Sequence, residues 1–180
     1  NSLNLENYSI GNPAISPDNK RLFFVSCAPY LSANGQSDIY YVNMKDGVPF
    51  GKVESVPGIN TSGRESFPFV SWDGTLYFSS DMPGGYGGAD IYKVSINGND
   101  SYGIPENLGP IINTEGRESF PFISHNNTLY FASDGHLGLG GLDIFESKWK
   151  DNKFSKPENL AKPINSPKDD FSFIVNDKNS

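Results

Sequence analysis

One segment of the sequence occurs twice, and this repetition constrains the fold more than any single residue does. The segment NTSGRESFPFVS at Asn60–Ser71 returns as NTEGRESFPFIS at Asn113–Ser124, a displacement of about 53 residues. The match continues downstream, where TLYFSSD at Thr75–Asp81 corresponds to TLYFASD at Thr128–Asp134. Repeats of about this length are typical of proteins that place several copies of one small unit side by side.

Each unit has the pattern of four short strands and no helix. Its apolar residues alternate or run in short blocks that Gly, Pro, Asn and Asp interrupt, as expected for strands and tight turns. In the second unit, Trp72-Asp73-Gly74 separates two such blocks, and an Asp-Gly pair supplies the positive φ angles that a tight hairpin needs. Further strands are predicted at Asp90–Ile96 and near Gly103–Leu108. Four antiparallel strands per unit predict an all-β chain built from β-propeller blades.

The number of repeats predicts an incomplete ring. We expect complete blades at residues 1–58, 59–111 and 112–163 and the start of another at 164–180, all within one partial β-propeller domain. Propellers close with about four to eight blades. Two explanations remain open: the chain is part of a larger propeller, or copies self-associate through their open blade edges.

The motifs within each unit resemble those of a known family. The core Ser-x-Asp-Gly-x-Leu-Tyr-Phe-x-Ser-Asp at Ser71–Asp81, followed by Gly-Gly-x-Asp-Ile-Tyr at Gly87–Tyr92, resembles the WD40-like, TolB-type β-propeller repeats of bacterial envelope proteins. Similar repeats occur in OmpA-family proteins, including a component of the type IX secretion apparatus. The resemblance implies a periplasmic, outer-membrane-associated protein with envelope proteins as partners. Peptidoglycan or glycan contacts would then come from a separate module.

Charge and composition disfavour several kinds of partner. The formal net charge of −7 disfavours nucleic acid and anionic lipid, because both attract clustered Lys and Arg. No apolar run is long enough to span a bilayer, so we expect no direct membrane insertion. The single cysteine, Cys27, excludes an intrachain disulfide. Because no phosphate-binding glycine motif or metal-ligand spacing is found, we predict no cofactor, no metal and no catalytic residue.

Charged residues precede the predicted first strand of two units. Arg64 and Glu65 in one unit correspond to Arg117 and Glu118 in the next, which would place all four at the mouth of the central channel. One interpretation is a ring of charged side chains that binds a carboxylate, a peptide or a glycan. The other is that these residues link adjacent blades through salt bridges and hydrogen bonds.

Two aromatic residues are candidates for a contact with a partner or a sugar. Trp72 lies in the predicted hairpin turn, and Tyr86 lies at the tip of a glycine-rich loop, where apolar side chains can anchor a ligand. The alternative is that they pack on the neighbouring blade. Aspartates flank the glycine-rich loops, and we interpret them as caps of the turns, because one unit supplies too few oxygens for calcium.

From these observations we expect a non-enzymatic propeller that acts as a scaffold for protein–protein interaction in the cell envelope. Two other functions stay open. The first is binding of a carbohydrate or a peptidoglycan fragment, and the second is a glycoside hydrolase or lyase, which would need two suitably spaced carboxyl groups.

Overall fold

The computed structural model describes residues 10–27, 36–98 and 101–176. Within these ranges the chain forms strands and no helix, and therefore no helix long and apolar enough to cross a membrane. The strands make three antiparallel sheets. This confirms the predicted all-β architecture of propeller blades.

The three sheets, called blades A, B and C below, follow one another along the chain. In blade A, neighbouring strands are β1 (Ile10–Ile15), β2 (Arg21–Ser26), β3 (Asp38–Lys45) and β4 (Val48–Ser55). In blade B they are β5 (Glu65–Val70), β6 (Thr75–Ser80), β7 (Asp90–Ser95) and β8 (Glu106–Asn107). Blade C has β9 (Glu118–Ile123), β10 (Thr128–Ser133) and β11 (Asp143–Lys150), and β11 pairs with both β12 (Lys153–Phe154) and β13 (Glu158–Asn159).

The predicted hairpin between β5 and β6 is present. The Ser71 hydroxyl donates to the Asp73 carboxylate at 2.5 Å, and the same carboxylate accepts from the Thr75 backbone N–H at 3.0 Å. Gly74 follows with a φ of 83°, a conformation that glycine adopts without strain. Equivalent bonds join Ser16 to Asp18 and close the turn of blade A.

The first strand of blade B contains a bulge at its Phe-Pro pair. Ser66 pairs with Ser79 and Phe69 pairs with Tyr77, so two residues on β5 face one residue on β6. Phe67 has a φ of 53°, which is unusual for a bulky residue. Pro68, which cannot donate a ladder hydrogen bond, is tolerated at such a bulge in an edge strand. The same conformation recurs at Phe120, with a φ of 52°.

Alternating side chains place most of the buried apolar residues at the two junctions of neighbouring blades, and a smaller cluster of Phe24, Tyr40 and Val42 lies on the other face of blade A. In β6, Leu76 and Phe78 face blade A, whereas Tyr77 faces blade C. The A/B junction also buries Phe23, Ile39 and other apolar residues, and the B/C junction buries the set Ile91, Ile112, Ile123, Leu129, Phe131, Phe145 and Phe154. The hydrophobic stabilisation of the protein is therefore concentrated between blades.

An asparagine at the start of each repeat fastens it to the preceding blade. Asn113 accepts from the N–H of Ile91 at 2.8 Å and donates to the C=O of the same residue at 3.0 Å. The pattern returns where Asn60 bonds Ile39 and where Asn165 bonds Ile144. These asparagines are the first residue of the repeated segment and its counterpart in the last, partial copy. We call them the asparagine clamps.

The glycine-rich loop of blade B fits closely against blade C. Gly88 donates its N–H to the C=O of Gly116 at 2.7 Å. A Cβ on Gly87 would lie 2.3 Å from the carbonyl oxygen of Thr114 and 2.4 Å from the carbonyl carbon of Glu115. Only glycine allows this approach of the two backbones.

Residues 164–176 begin a fourth repeat at the far side of blade C. Asp170 donates its N–H to the C=O of Leu142 at 2.7 Å, as Glu118 does to Ala89 in the preceding repeat. Phe171 stacks on Phe120 with ring centroids 5.1 Å apart. The segment follows the path of a first strand, but it pairs with no strand in the described ranges and is not itself assigned as one.

We predict that replacing Asn113 by Ala lowers the free energy of unfolding by about 1–3 kcal/mol, because it leaves the buried N–H of Ile91 without an acceptor, while the C=O of Ile91 keeps its bond from the N–H of Leu108. Urea unfolding of the two proteins measures the loss. Asn97→Ala is the matched control, since Asn97 is exposed. An equal effect of the two substitutions would show that the clamp contributes nothing specific.

We also predict that Gly87→Ala costs about 1–3 kcal/mol, because the added methyl group cannot fit against residues 114–115 without displacing one backbone. Thermal unfolding followed by circular dichroism measures the change. Gly11→Ala serves as the control, because a Cβ on Gly11 meets nothing within 4 Å. Unchanged stability of Gly87→Ala would contradict the close fit of the loop.

Candidate functional site

The candidate residues lie at opposite ends of the blades. Arg64 precedes β5 and Tyr86 lies in the loop between β6 and β7, whereas Trp72 lies in the turn that joins β5 to β6. Because these strands are antiparallel, the turn and the loop are at opposite ends of the sheet. We call the end with the turns at 16–20, 71–74 and 124–127 the hairpin face, and the other end the loop face.

The ring of charged side chains, one of the two interpretations of these residues, is not formed on the loop face, because its carboxylates point inward. Glu65 and Glu118 are both 0% exposed. Glu118 accepts from Thr114 and from the Ser133 hydroxyl at 2.6 Å, and Glu65 accepts from equivalent residues. Burial raises the pKa of Glu65 and outweighs these hydrogen bonds, which act to lower it. Both carboxylates are internal parts of their blades and do not reach a partner, which corrects the prediction for them.

The two arginines remain on the surface of the loop face. Nε of Arg64 donates to the side-chain oxygen of Gln36, in the loop before β3 of blade A, at 3.3 Å. Arg117 forms an ion pair with Asp134 of its own blade at 2.8 Å. The side chain of Arg64 therefore links two blades, as one of the two interpretations expected. The ion pair of Arg117 stays within one blade. A binding role for either arginine stays a prediction.

The aspartates beside the glycine-rich loops cap backbone amides, as predicted. Asp90 accepts from the N–H of Tyr86 at 2.6 Å, and Asp143 accepts from the N–H of Leu139 at 2.7 Å. Tyr86 itself is 48% exposed, so it is not packed away on a neighbouring blade. Throughout the described part of the chain, no three His, Cys, Asp or Glu side chains lie where they could hold a metal ion.

Trp72 on the hairpin face borders three cavities at once. It is 52% exposed. The first cavity, of about 670 Å³, lies between blades A and B, and the second, of about 330 Å³, lies between blades B and C. The third, of about 470 Å³, lies beside the first strands and includes His125. The indole ring of Trp72 is therefore half exposed, and it can contact a ligand bound in any of the three cavities.

The first of these three cavities, which we call the A/B groove, combines an aromatic wall with hydrogen-bond donors and acceptors. Trp72 and Asp73 line its blade B side, while Lys20, Arg21 and Asn43 line its blade A side. The guanidinium of Arg21 lies 5.3 Å from the ring centroid of Tyr41, which holds this side chain against the blade. The groove thus offers both signs of charge and an amide beside an indole ring.

The two aspartates of the A/B groove are ionised acceptors. The hydrogen bond from Ser16 lowers the pKa of Asp18, although burial acts in the other direction. Burial acts to raise the pKa of Asp73, but the hydrogen bonds from Ser71 and Thr75 outweigh it and the pKa is lowered. Carboxylates of this kind accept hydrogen bonds from hydroxyl groups at neutral pH.

The B/C groove, the cavity between blades B and C, contains the second tryptophan. Trp149 lies at the end of β11 and is 39% exposed. Its ring meets Phe154 edge-on at 4.8 Å, and the Lys93 ammonium lies 5.6 Å from its centroid. Sequence reasoning missed Trp149 and Lys93 because they lie outside the shared motif. The one available signal was that Trp149 is one of only two tryptophans in the chain.

Comparison with known proteins identifies the fold. No family model matches the chain, and no curated protein matches it either. Three solved structures are similar: a puromycin-hydrolyzing peptidase of Mycobacterium tuberculosis (TM-score 0.57, 19% identity), an α-L-arabinofuranosidase of Podospora anserina (0.53, 17%) and a gluconolactonase of Xanthomonas campestris (0.52, 13%). In the same order, the matches cover 88%, 84% and 89% of this chain. They cover only 23%, 50% and 51% of the length of the three enzymes.

These neighbours correct one prediction made from the sequence. We expected a protein without enzymatic activity, but a peptidase, an arabinofuranosidase and a gluconolactonase all share its fold. The prediction is therefore wrong, because the fold from which it was drawn also occurs in enzymes. At these sequence identities the similarity shows a shared fold and not a shared activity, because proteins with one fold catalyse many different reactions.

We predict that the stability of the protein falls between about pH 10 and 12 in a way that depends on Tyr77, which lines the B/C groove. Burial, with a smaller contribution from the charge of Asp73, raises the pKa of Tyr77 from 10.0 to about 12. In this window the unfolded chain loses a proton that the folded chain keeps, so unfolding becomes easier as the pH rises. By pH 11 this ionisation should have lowered the free energy of unfolding by about 1 kcal/mol.

Urea unfolding of the protein and of Tyr77→Phe from pH 8 to 11 tests this prediction. The variant has no phenol at this position. The free energy of unfolding of the native protein should therefore fall relative to that of the variant as the pH rises. Parallel stability curves would show that Tyr77 ionises equally easily in both states.

Proposed function

We propose that this chain is a carbohydrate-binding propeller and that the sugar binds on the hairpin face at Trp72. The observation that carries the proposal is the position of Trp72, half exposed at the meeting point of three cavities. An exposed indole ring stacks well on the apolar face of a sugar ring, because it supplies a large contact at low cost in entropy.

The polar groups of the A/B groove support this class of ligand. Sugar hydroxyls both donate and accept hydrogen bonds, so they need acceptors and donors beside the stacking ring. Asp18 and Asp73 accept, Lys20 donates, and the Asn43 amide does both. The opposite charges roughly cancel, which favours a ligand without net charge.

The structural comparisons lend support of a more general kind. Two of the enzymes that share the fold are named for sugar chemistry, an arabinofuranosidase solved with cellotriose and a gluconolactonase. The scaffold function expected from the sequence has less support, because the charged ring on the loop face is missing two of its four members. Location in the bacterial cell envelope, which the WD40-like repeats imply, is part of this proposal.

The test is isothermal titration calorimetry of the protein with neutral cello-, xylo- and chito-oligosaccharides. A muropeptide is included to represent peptidoglycan. We expect saturable binding of at least one neutral sugar. Trp72→Ala should weaken it about tenfold or more, as loss of a central aromatic contact typically does.

Tyr86→Ala is the matched control, because it removes an equally exposed aromatic ring from the loop face. It should leave sugar binding unchanged. No binding of any sugar, or an equal loss in the two variants, would contradict the proposal, and binding of the muropeptide alone would replace a neutral ligand by an anionic one.

A further inference from the structure

We infer that the B/C groove is a second subsite that extends the Trp72 site outward, so that the ligand is a neutral oligosaccharide and Trp149 is its outer aromatic contact. This inference rests on the proposed function and adds the size and direction of the ligand to it.

The geometry of the groove links the two tryptophans. One cavity of about 330 Å³ is lined by Trp72, by Trp149 and by residues of both blades between them. At about 30 Å³ for each water, this is room for about ten waters, which is the scale of one or two sugar rings. A ligand stacked on Trp72 therefore has space to continue toward Trp149.

The equivalent groove between blades A and B lacks this second ring. The backbone N–H of Trp149 donates to the backbone C=O of Asn127 at 3.0 Å. The backbone N–H of Ile96 donates in the same way to the C=O of Gly74 at 3.1 Å. Ile96 is thus the counterpart of Trp149 in the A/B groove. The repeat places an aliphatic residue at one junction and a tryptophan at the other, so the two grooves differ in their ability to stack on a sugar.

Neighbouring residues hold Trp149 in place and set the polarity of the groove. Phe154 packs edge-on against its ring, and Lys93 lies over it. Lys93 is in turn 3.3 Å from Glu106, so its charge is balanced and does not call for an anionic ligand. Asp73 and Asn127 line the rest of the groove and can form hydrogen bonds with sugar hydroxyls.

The two tryptophans allow a direct test, since the chain contains no others. In Trp72→Phe, all tryptophan fluorescence comes from Trp149, while the ring at position 72 keeps its ability to stack. This variant should be titrated with mono-, di-, tri- and tetrasaccharides of the sugar that binds the native protein. We expect a saturable change in Trp149 emission with the longer sugars and none with the monosaccharide.

Affinity measurements complete the test. Trp149→Ala should weaken binding of the tetrasaccharide about tenfold and leave binding of the monosaccharide unchanged. Tyr86→Ala, which removes an aromatic ring from the loop face, is the control and should weaken neither. Ile96→Ala, at the equivalent position of the A/B groove, should leave the gain in affinity from monosaccharide to tetrasaccharide unchanged. Thermal unfolding of each variant shows whether it is folded, and the fluorescence titration needs no substitution at Trp149 at all.

The outcomes separate the two proposals. If no sugar binds the native protein, the proposed function fails. If sugars bind at Trp72 but affinity does not rise with length and Trp149 emission never changes, the proposed function stands and the second subsite is wrong. If Ile96→Ala removes the gain in affinity with sugar length and Trp149→Ala does not, the ligand extends along the A/B groove instead, which also overturns the inference.

Discussion

The asparagine clamps are the interaction on which the arrangement of the blades depends. Asn60, Asn113 and Asn165 each offer one acceptor and one donor to the backbone of an isoleucine in the preceding blade. A side-chain amide has the same pair of groups as a peptide unit, so it accepts from the isoleucine N–H and adds a second donor to a C=O that already accepts from a backbone N–H of its own blade. Each clamp fastens the start of one repeat to the third strand of the previous one, and this sets how adjacent blades meet.

The grooves of the hairpin face follow from that arrangement. Blades held side by side bury apolar side chains at their junctions and leave clefts where the turns project beyond the core. The clefts have a common backbone frame, but their side chains differ: Trp72 replaces Pro17 of blade A, and Trp149 replaces Ile96 of blade B. The parts that repeat hold the fold, and the parts that diverge between copies are those we assign to ligand binding, as expected for residues on turns of a rigid scaffold.

Much of the fold could be predicted because it is encoded locally and several times. The turn at Trp72-Asp73-Gly74 needs only its own residues, so its motif was a reliable signal. The fate of Glu65 was not predictable in this way, because its burial depends on Thr61 before it and on Ser80 across the sheet. A Glu beside an Arg ahead of a strand has the same sequence pattern whether it points inward or outward. The absence of enzymatic activity was predicted wrongly because repeat motifs describe the scaffold and carry no information on chemistry.

The sequence by itself determined the period, the four-stranded blade and the turns, because each of these depends on residues within one repeat and is stated in more than one copy. Only the tertiary structure decided which side chains share a surface. It separated Trp72 from Arg64 and Tyr86, which lie at the opposite end of the same strands, and brought Trp72 to the same groove as Trp149, far away in the chain. The physical reason is that a groove belongs to two blades at once, and the contact between blades is set by packing and by the asparagine clamps.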